Sequence, residues 1–332
     1  MKFTILFVFI AFLVLGCKEE GSSPSSIKYD NIINDGGVFG TSYRFIYPSP
    51  SDFQEEFDSL FNVLNKSLST YQENSIISQF NRGEEVALDE HFTNVYEASK
   101  MIYKQTQGAF DPTIGAVVNA WDFGPEGKLV SLDSLKIDSL MVGVGLDKLK
   151  IEGNTIQKES STYLDFNAIA KGYAVDVIAE FIESKGIENY LVEIGGEIRA
   201  QGINIENGNV WQVGIEEPNF DGERSVMKII PLTNESMATS GTYRKFQVDT
   251  EGNRFSHIID TSTGYPSKTN ILSVSVLTET CMYADAYATA FKSMGIEKIQ
   301  DFLEQHSEVR VYIIFENKLG ELDTMSLNGF PE

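Results

Sequence analysis

The stretch CMYADAYATAFKSMG, residues 281–295, has the periodicity of a helix, yet it carries a carboxylate and a hydroxyl four residues apart, Asp285 and Thr289. That spacing places both side chains on one face of the helix. Oxygen ligands of this kind suit a hard cation such as Mg²⁺, which often shares its coordination with substrate phosphates. The alternative is a surface aspartate beside a threonine that hydrogen-bonds back to its own helix. A lone Asp among alanines and aromatic residues needs a partner, which favours the cation site.

Around this helix, the other periodic segments predict further helices and many short strands. Helices are predicted at residues 51–71, with Ser51 as the N-cap, and at 74–81, 89–106, 167–186, 280–294 and 296–306. Strands are predicted at residues 40–49, 190–194, 197–202, 210–217, 226–232, 236–241, 243–249, 255–260, 271–277 and 309–316, and a hairpin at 155–166. Because helices and mainly antiparallel strands segregate along the chain, the sequence predicts an α+β fold with mainly antiparallel sheets.

The composition limits the class of protein. The chain has 332 residues, 42% of them hydrophobic, which is enough for one large domain or for two closely packed halves. Its formal net charge of −22 argues against nucleic acid as a partner, because the phosphate backbone would be repelled. An anionic ligand would therefore need a local cation, a metal ion or a helix N-terminus.

The N-terminus has the pattern of an export signal. A single lysine is followed by an apolar run at residues 3–15, which is short for a membrane span and fits a signal peptide. The residues VLGC at 14–17 look like a bacterial lipobox. They predict a signal peptide at 1–17, lipidation of Cys17, a flexible tether at 18–37 and one domain at 38–332. The alternative is an ordinary signal peptide with an incidental cysteine.

Soft metal ligands are scarce in the rest of the chain. Beyond the signal peptide the sequence has one cysteine, Cys281, which excludes an intramolecular disulfide and a zinc site built on Cys pairs. Three histidines without a His-x-x-x-His spacing argue against a His-rich transition-metal site. Any metal centre is therefore expected to use oxygen ligands.

A second motif, LDFNAIAKGYAVD at residues 164–176, lies where a strand is predicted to end and a helix to begin. Asp165 can cap that helix, or the free N–H groups of the same turn can bind an anion. Lys171 is either a solvated lysine or a phosphate contact. The neighbouring Gly172 lies inside the predicted helix, where glycine is unfavourable, and this implies that another group approaches closely.

Two further motifs carry candidate site residues. His257 is predicted to lie in mid-strand with Phe255 and Ile259 on its face, which is compatible with a structural or a functional histidine. In FDPTIG at 110–115, Asp111 before a proline is typical of a helix cap. Together with nearby aromatic residues such as Tyr71, the same motif could line a cofactor pocket.

With these motifs in order, the chain resembles the ApbE family of FAD:protein FMN transferases over roughly residues 38–316. The resemblance rests on eight segments: STYQENSIISQFN, GAFDPTIGAVVNAWDFG, LDFNAIAKGYAVD, LVEIGGEIRAQG, WQVGIEEP, MATSGTYRKF, FSHIIDTSTGYP and ADAYATAFKSMG. It implies an ApbE-like, T-fold-like architecture. One departure is Asp260-Thr261, where the family usually has Asp-Pro, and it removes no ligand.

The resemblance also implies an activity. Family members bind FAD with Mg²⁺, transfer FMN to a Thr or Ser hydroxyl of an acceptor protein and release AMP, whereas some relatives hydrolyse FAD. Usual acceptors are subunits of sodium-pumping NADH:quinone reductases (Nqr) and of Rnf-type complexes. Many members are lipoproteins on the periplasmic or extracytoplasmic face of a bacterial membrane. The alternatives for this chain are an FAD pyrophosphatase and a non-catalytic FAD-binding lipoprotein.

Site residues follow from the resemblance position by position. The implied metal ligands are Asp285, Thr289 and the backbone carbonyl of Ala168. The implied FAD contacts are Asp165, Lys171, His257, Ile258 and Ile259, with Tyr43, Tyr71, Phe110, Asp111 and Thr113 in segments that shape the FAD pocket. His257 and Asp285 are the implied catalytic residues.

Overall fold

The computed structural model describes residues 29–127, 132–152, 155–158, 161–243, 246–248 and 254–332. The predicted signal peptide, Cys17 and the first part of the predicted tether lie outside these residues. No helix within the described ranges combines the length and the apolar character that a membrane span requires.

An eight-stranded antiparallel sheet forms the centre of the fold, with the strand order β1-β2-β5-β6-β10-β13-β14-β15. Its strands are β1 (Asn31–Val38), β2 (Thr41–Pro48), β5 (Tyr190–Ile194), β6 (Glu197–Gln201), β10 (Glu235–Gly241), β13 (Ile271–Thr278), β14 (Arg310–Glu316) and β15 (Leu322–Leu327). Smaller sheets contain β3 (Lys150–Glu152) with β4 (Thr155–Gln157), β7 (Ile203–Asn204) with β8 (Asn209–Glu216) and β9 (Val226–Leu232), and β11 (Phe246–Val248) with β12 (Arg254–Ser256). The predicted α+β class with mainly antiparallel sheets is confirmed.

The helices cover the sheet and carry most of the core. They are α1 (Gln54–Leu68), α2 (Ile76–Asn81), α3 (Glu90–Gln105), α4 (Gly115–Ala120), α5 (Ser134–Met141), α6 (Ala170–Ser184), α7 (Cys281–Met294) and α8 (Ile296–Leu303). On one side of the sheet, α6 and α7 pack against each other and against β5, β6, β10 and β13. On the other side, a second cluster joins Trp211 and Val213 of β8 to Ile198 and Met237 of the large sheet.

Helix α7 is tied to α6 by a buried carboxylate. Its N-cap, Thr280, makes no capping hydrogen bond with its side chain. Instead, Asp176 of α6 accepts hydrogen bonds from the backbone N–H groups of Cys281 (3.0 Å) and Met282 (2.8 Å), and Arg199 donates to the same carboxylate at 3.0 Å. Burial raises the pKa of Asp176 to about 6, although these partners oppose the shift. The helix that carries Asp285 is therefore held by a contact that no local sequence pattern encodes.

Several predicted boundaries differ from the structure. Residues 31–37 of the predicted tether belong to the edge strand β1 (Asn31–Val38). Ser51 is not the N-cap of α1, which begins after Phe53. The predicted hairpin at 155–166 is instead formed by β3 and β4. Strand β1 and the unpredicted β15 lie at the edges of the sheet and bury few side chains, so they lack the apolar alternation that marks a strand.

Lys292 of α7 is a buried lysine that gives a testable pH effect. It is 1% exposed, and its ammonium donates to Thr269 Oγ1 at 3.2 Å. Burial lowers the pKa of Lys292 from 10.5 to about 8. Between about pH 8 and 10.5 the unfolded chain therefore binds more protons at this group than the folded chain does, so the free energy of unfolding rises with pH in that window.

We expect Lys292→Met to lose this rise and to be more stable than the wild type at pH 7 by about 2 kcal/mol, because an apolar side chain avoids the cost of burying a charge. Denaturant unfolding between pH 7 and 10 measures both effects. Lys298→Met on the exposed face of α8 is the matched control and should keep the wild-type pH dependence. An unchanged pH dependence in Lys292→Met would contradict the assignment.

Candidate functional site

A cavity of about 1140 Å³ opens where the start of α6, the middle of α7 and the turn between β5 and β6 meet. Two loops complete its wall, one around residues 109–114 and one around 257–261. The predicted site residues that line it are Tyr71, Phe110, Asp111, Asp165, Ala168, Lys171, His257, Ile258, Ile259, Asp285 and Thr289. The fold therefore brings together residues that lie more than two hundred positions apart in the sequence.

Asp285 and Thr289 face this cavity from α7, one helical turn apart. Asp285 is 4% exposed, and its Oδ2 accepts a hydrogen bond from the backbone N–H of Gly172 at 3.0 Å. Thr289 shares a 3.0 Å hydrogen bond with the hydroxyl of Ser240 on β10. Among the described residues, no hydrogen-bond donor contacts Oδ1 of Asp285. The lone aspartate was expected to need a partner, and that partner is the start of α6. Oδ2 of Asp285 is occupied by this contact, whereas its Oδ1 is not.

Gly172 permits the close contact between α6 and α7. A Cβ atom at this position would lie 2.3 Å from the carbonyl oxygen of Cys281 and 2.8 Å from Cβ of Asp285. Both distances are shorter than real Cβ contacts allow, and one of the two atoms is backbone. The prediction that Gly172 marks a close approach is confirmed.

We expect Gly172→Ala to destabilise the fold by about 2 kcal/mol, since the helices must separate and the gain in helix propensity is smaller. Thermal and denaturant unfolding measure the change. Gly37→Ala in β1 is the matched control, because its added Cβ would have only the carbonyl oxygen of Thr41, 3.8 Å away, within contact range. Equal stability of the two variants would show that the helices can move apart freely.

Lys171 forms an ion pair that the sequence analysis missed. Its Nζ lies 2.6 Å from Oε1 of Glu197, the first residue of β6, and the two side chains are 32% and 5% exposed. Burial lowers the pKa of Lys171, but the carboxylates of Asp285 and Glu197 outweigh it and raise the pKa above its ordinary value. Burial raises the pKa of Glu197 to about 7, an effect that Lys171 opposes. The lysine is therefore a fixed cation at the cavity wall.

The described part of the cavity wall is strongly acidic. Six carboxylates line it: Asp111, Asp165, Glu193, Glu197, Glu216 and Asp285. Among the described lining residues, Lys171 is the single lysine or arginine. A diphosphate could enter such a cavity only with a counter-cation, because unscreened carboxylates would repel it.

The oxygen atoms around Asp285 fit a hard divalent cation. Asp285 supplies a carboxylate oxygen without a hydrogen-bond donor, Thr289 supplies a hydroxyl, and Ala168 lines the same cavity. No group of three or more His, Cys, Asp or Glu side chains arranged for a metal occurs in the described ranges. A metal here would rely on one carboxylate with neutral oxygen ligands and its substrate, which is the coordination that Mg²⁺ tolerates.

Asp165 lies at the entrance to α6 but does not cap the helix. Its Oδ1 accepts a hydrogen bond from the backbone N–H of Asn167 at 2.8 Å, and its own N–H donates to the carbonyl of Pro112 at 2.8 Å. The N-cap position belongs to Ile169, so the alternative in which Asp165 caps the helix is wrong. Because α6 begins at Ala170, Lys171 lies in its first turn. The hydrogen bond to Pro112 joins this entrance to the FDPTIG motif.

Two predicted pocket residues lie behind the cavity wall. Thr113 donates to Asp111 Oδ1 at 2.6 Å and accepts from the N–H of Gly145 at 2.7 Å, so it orients the aspartate. Burial raises the pKa of Asp111, an effect that Thr113 opposes. Tyr43 of β2 is 6% exposed, and its hydroxyl hydrogen-bonds to Gln54 of α1. Neither Tyr43 nor Thr113 lines the cavity, but Thr113 orients Asp111, which does.

His257 lies in a bend directly after β12 and not in mid-strand, because β12 ends at Ser256. Its ring meets the edge of the Phe123 ring at a centroid distance of 6.2 Å. Ile258 and Ile259 are buried beside it, and Ile259 belongs to a small apolar cluster with Val117 and Phe123. Because the chain bends after Ser256, the imidazole lies in the cavity wall. A continuing strand would instead place successive side chains on opposite faces.

Tyr71 and Phe110 contribute the aromatic part of the wall. Tyr71 is 62% exposed and lies in the turn after α1, whereas Phe110 is 3% exposed. An exposed ring beside a buried one suits a flat ligand that covers the ring on binding.

Comparisons with known proteins identify the family. The ApbE family profile matches residues 39–313. A FAD:protein FMN transferase of Vibrio cholerae is 40% identical over 298 residues, which cover 86% of each chain, and one of Haemophilus influenzae is 34% identical over 99% of this chain and 96% of its own. The solved structure of the flavin transferase ApbE from Vibrio cholerae matches with a TM-score of 0.80 at 35% identity, over 90% of this chain and 97% of that one. These matches confirm the prediction that the chain belongs to the ApbE family.

Proposed function

We propose that this protein transfers FMN from FAD to a Thr or Ser hydroxyl of an acceptor protein and releases AMP. The observation that carries the proposal is the oxygen-lined face of α7, Asp285 and Thr289, opening on the same cavity as Lys171. The names of the relatives support a transferase that acts on FAD. The volume of the cavity and its aromatic wall suit a dinucleotide with a flat ring.

The oxygen ligands support Mg²⁺ as the cofactor, held by Asp285, Thr289 and the backbone carbonyl of Ala168. When bound, the ion would neutralise diphosphate oxygens and stabilise the charge that develops as a phosphate bond breaks. Lys171 contributes a second positive charge from the start of α6, where the helix dipole also favours an anion.

The chain's own residues then position the reacting groups. Phosphoryl-type transfer depends mainly on alignment and charge stabilisation, so the fixed Lys171 and the cavity wall carry most of the protein's contribution. His257 takes the proton from the acceptor hydroxyl as that oxygen bonds to the FMN phosphorus. The bond from that phosphorus to the bridging oxygen breaks, and the bridging oxygen leaves as part of AMP.

We also propose that lipidated Cys17 anchors the protein at the outer face of a bacterial membrane, since the lipobox-like residues precede a polar, Ser-rich segment. An anchored enzyme would meet exported or membrane-bound acceptors, such as the Nqr or Rnf-type subunits that the family resemblance implies. Labelling of the expressed protein with a fatty-acid analogue tests this point. Cys17→Ser should abolish the label.

The activity is tested by incubating the full protein with FAD, MgCl₂ and a purified acceptor subunit. We expect in-gel flavin fluorescence on the acceptor, an added FMN mass on one Thr or Ser, and AMP equimolar with that label. Free FMN and AMP without labelling would replace the proposal with FAD hydrolysis. If FAD remained unchanged, the proposal would be replaced by a non-catalytic FAD-binding protein. Replacing the acceptor hydroxyl by Ala is the control for specific labelling.

A further inference from the structure

One buried carboxylate beside the proposed metal site has no role in the proposed FMN transfer. Glu197 is 4% exposed and lines the cavity at the start of β6. Its Oε1 pairs with Lys171, whereas its buried Oε2 has no hydrogen-bond partner among the described residues. A buried ion pair with an unsatisfied oxygen is a poor way to gain stability, because desolvation consumes much of the attraction. A gain in stability therefore does not explain why Glu197 and Lys171 form a buried pair.

A tight turn sets the backbone position of Glu197. Two glycines with positive φ values, Gly195 at 66° and Gly196 at 105°, form the tight turn before it. Glu193 accepts a hydrogen bond from the N–H of Gly196 at 2.6 Å and closes that turn. The turn consequently sets the point in the backbone from which the Glu197 carboxylate reaches Lys171.

Lys171 also lies close to Asp285. The residue after it, Gly172, donates its backbone N–H to Asp285 Oδ2 at 3.0 Å. The ammonium therefore has two carboxylates within its reach, and Glu197 holds it at 2.6 Å. Apart from Glu197, Asp285 is the carboxylate whose charge raises the pKa of Lys171.

We infer that Glu197 is a positioning residue that holds the Lys171 ammonium away from Asp285 and so keeps the Asp285 carboxylate available to a divalent cation. This inference rests on the proposed function, since it concerns the same metal site. It gives the Glu197–Lys171 ion pair a role other than stabilising the fold. It also predicts a specific interaction between the two residues in metal binding.

The test measures binding of Mn²⁺ alone to the full protein by electron paramagnetic resonance, with no FAD present. We expect Glu197→Gln to raise the Kd for Mn²⁺ about tenfold or more, because the freed lysine neutralises Asp285. Adding Lys171→Met to this variant should restore the Kd to within about threefold of that of Lys171→Met alone. A purely structural role of Glu197 would give no such rescue.

Glu193→Gln is the matched control for charge. It removes one negative charge from the same wall, and the glutamine side-chain oxygen can still accept the hydrogen bond from the Gly196 N–H, so the turn and the Lys171 pair should persist and we expect a change in Kd of about threefold or less. Equal losses in Glu193→Gln and Glu197→Gln would overturn the inference, as would a loss that persists in the double variant. Wild-type protein that labels the acceptor but fails to bind Mn²⁺ would overturn the inference and leave flavin transfer standing.

Discussion

Replacing Asp285 by Ala should lower the rate of FMN transfer by about 1000-fold or more, because the cavity loses its one carboxylate beside Thr289 and with it several kcal/mol of transition-state stabilisation. The fold should survive, because the substitution leaves only one buried backbone N–H, that of Gly172, without its acceptor. The measurement is the initial rate of AMP release and of acceptor labelling at saturating FAD and MgCl₂. Mn²⁺ binding should fall in parallel.

Asp301→Ala is the control for this prediction. It removes a carboxylate from the exposed face of α8 and should leave the rate within about twofold of the wild type. Full activity of Asp285→Ala would reject the proposed metal site. Loss of activity with unchanged Mn²⁺ binding would mean that residues other than Asp285 hold the metal.

Asp176→Ala should give the largest loss of stability, about 3 kcal/mol or more. The substitution leaves two N–H groups at the start of α7 without their acceptor and removes the buried partner of Arg199. Urea unfolding gives the free energy. Because the same contact anchors the helix that carries Asp285, residual folded protein should also bind Mn²⁺ more weakly.

Glu183→Gln separates this effect from the loss of any Arg199 contact. Glu183 also pairs with Arg199, at 3.0 Å, but its side chain is 38% exposed. We expect a cost of about 1 kcal/mol or less, as for other exposed ion pairs. Similar losses in the two variants would mean that Arg199, and not the start of α7, determines the stability.

The sequence alone predicted those features of the fold and the site that depend on local spacing. The four-residue interval in α7 predicted that Asp285 and Thr289 share a face, and Gly172 predicted a close helix contact. The α+β class followed from the order of periodic segments. These features depend on residues within one or two helical turns, which is the range over which periodicity carries information.

The sequence was insufficient where partners come from distant segments. The hydrogen bond from Gly172 to Asp285 spans 113 positions, and no pattern in either motif encodes it. Nothing in the sequence distinguishes Glu197, because a glutamate at the start of a strand is usually solvated. Tyr43 and Thr113 belong to segments that the resemblance places around the FAD pocket, but their own side chains do not line the cavity.

The account depends most on a divalent cation at Asp285 and Thr289 in contact with the FAD diphosphate. A crystal grown with FAD and Mn²⁺ tests this directly, because anomalous scattering locates the metal without reference to its ligands. The account predicts an anomalous peak roughly 2 Å from a carboxylate oxygen of Asp285 and the hydroxyl of Thr289, with diphosphate oxygens completing the shell. A peak elsewhere, or FAD bound outside this cavity, would contradict it.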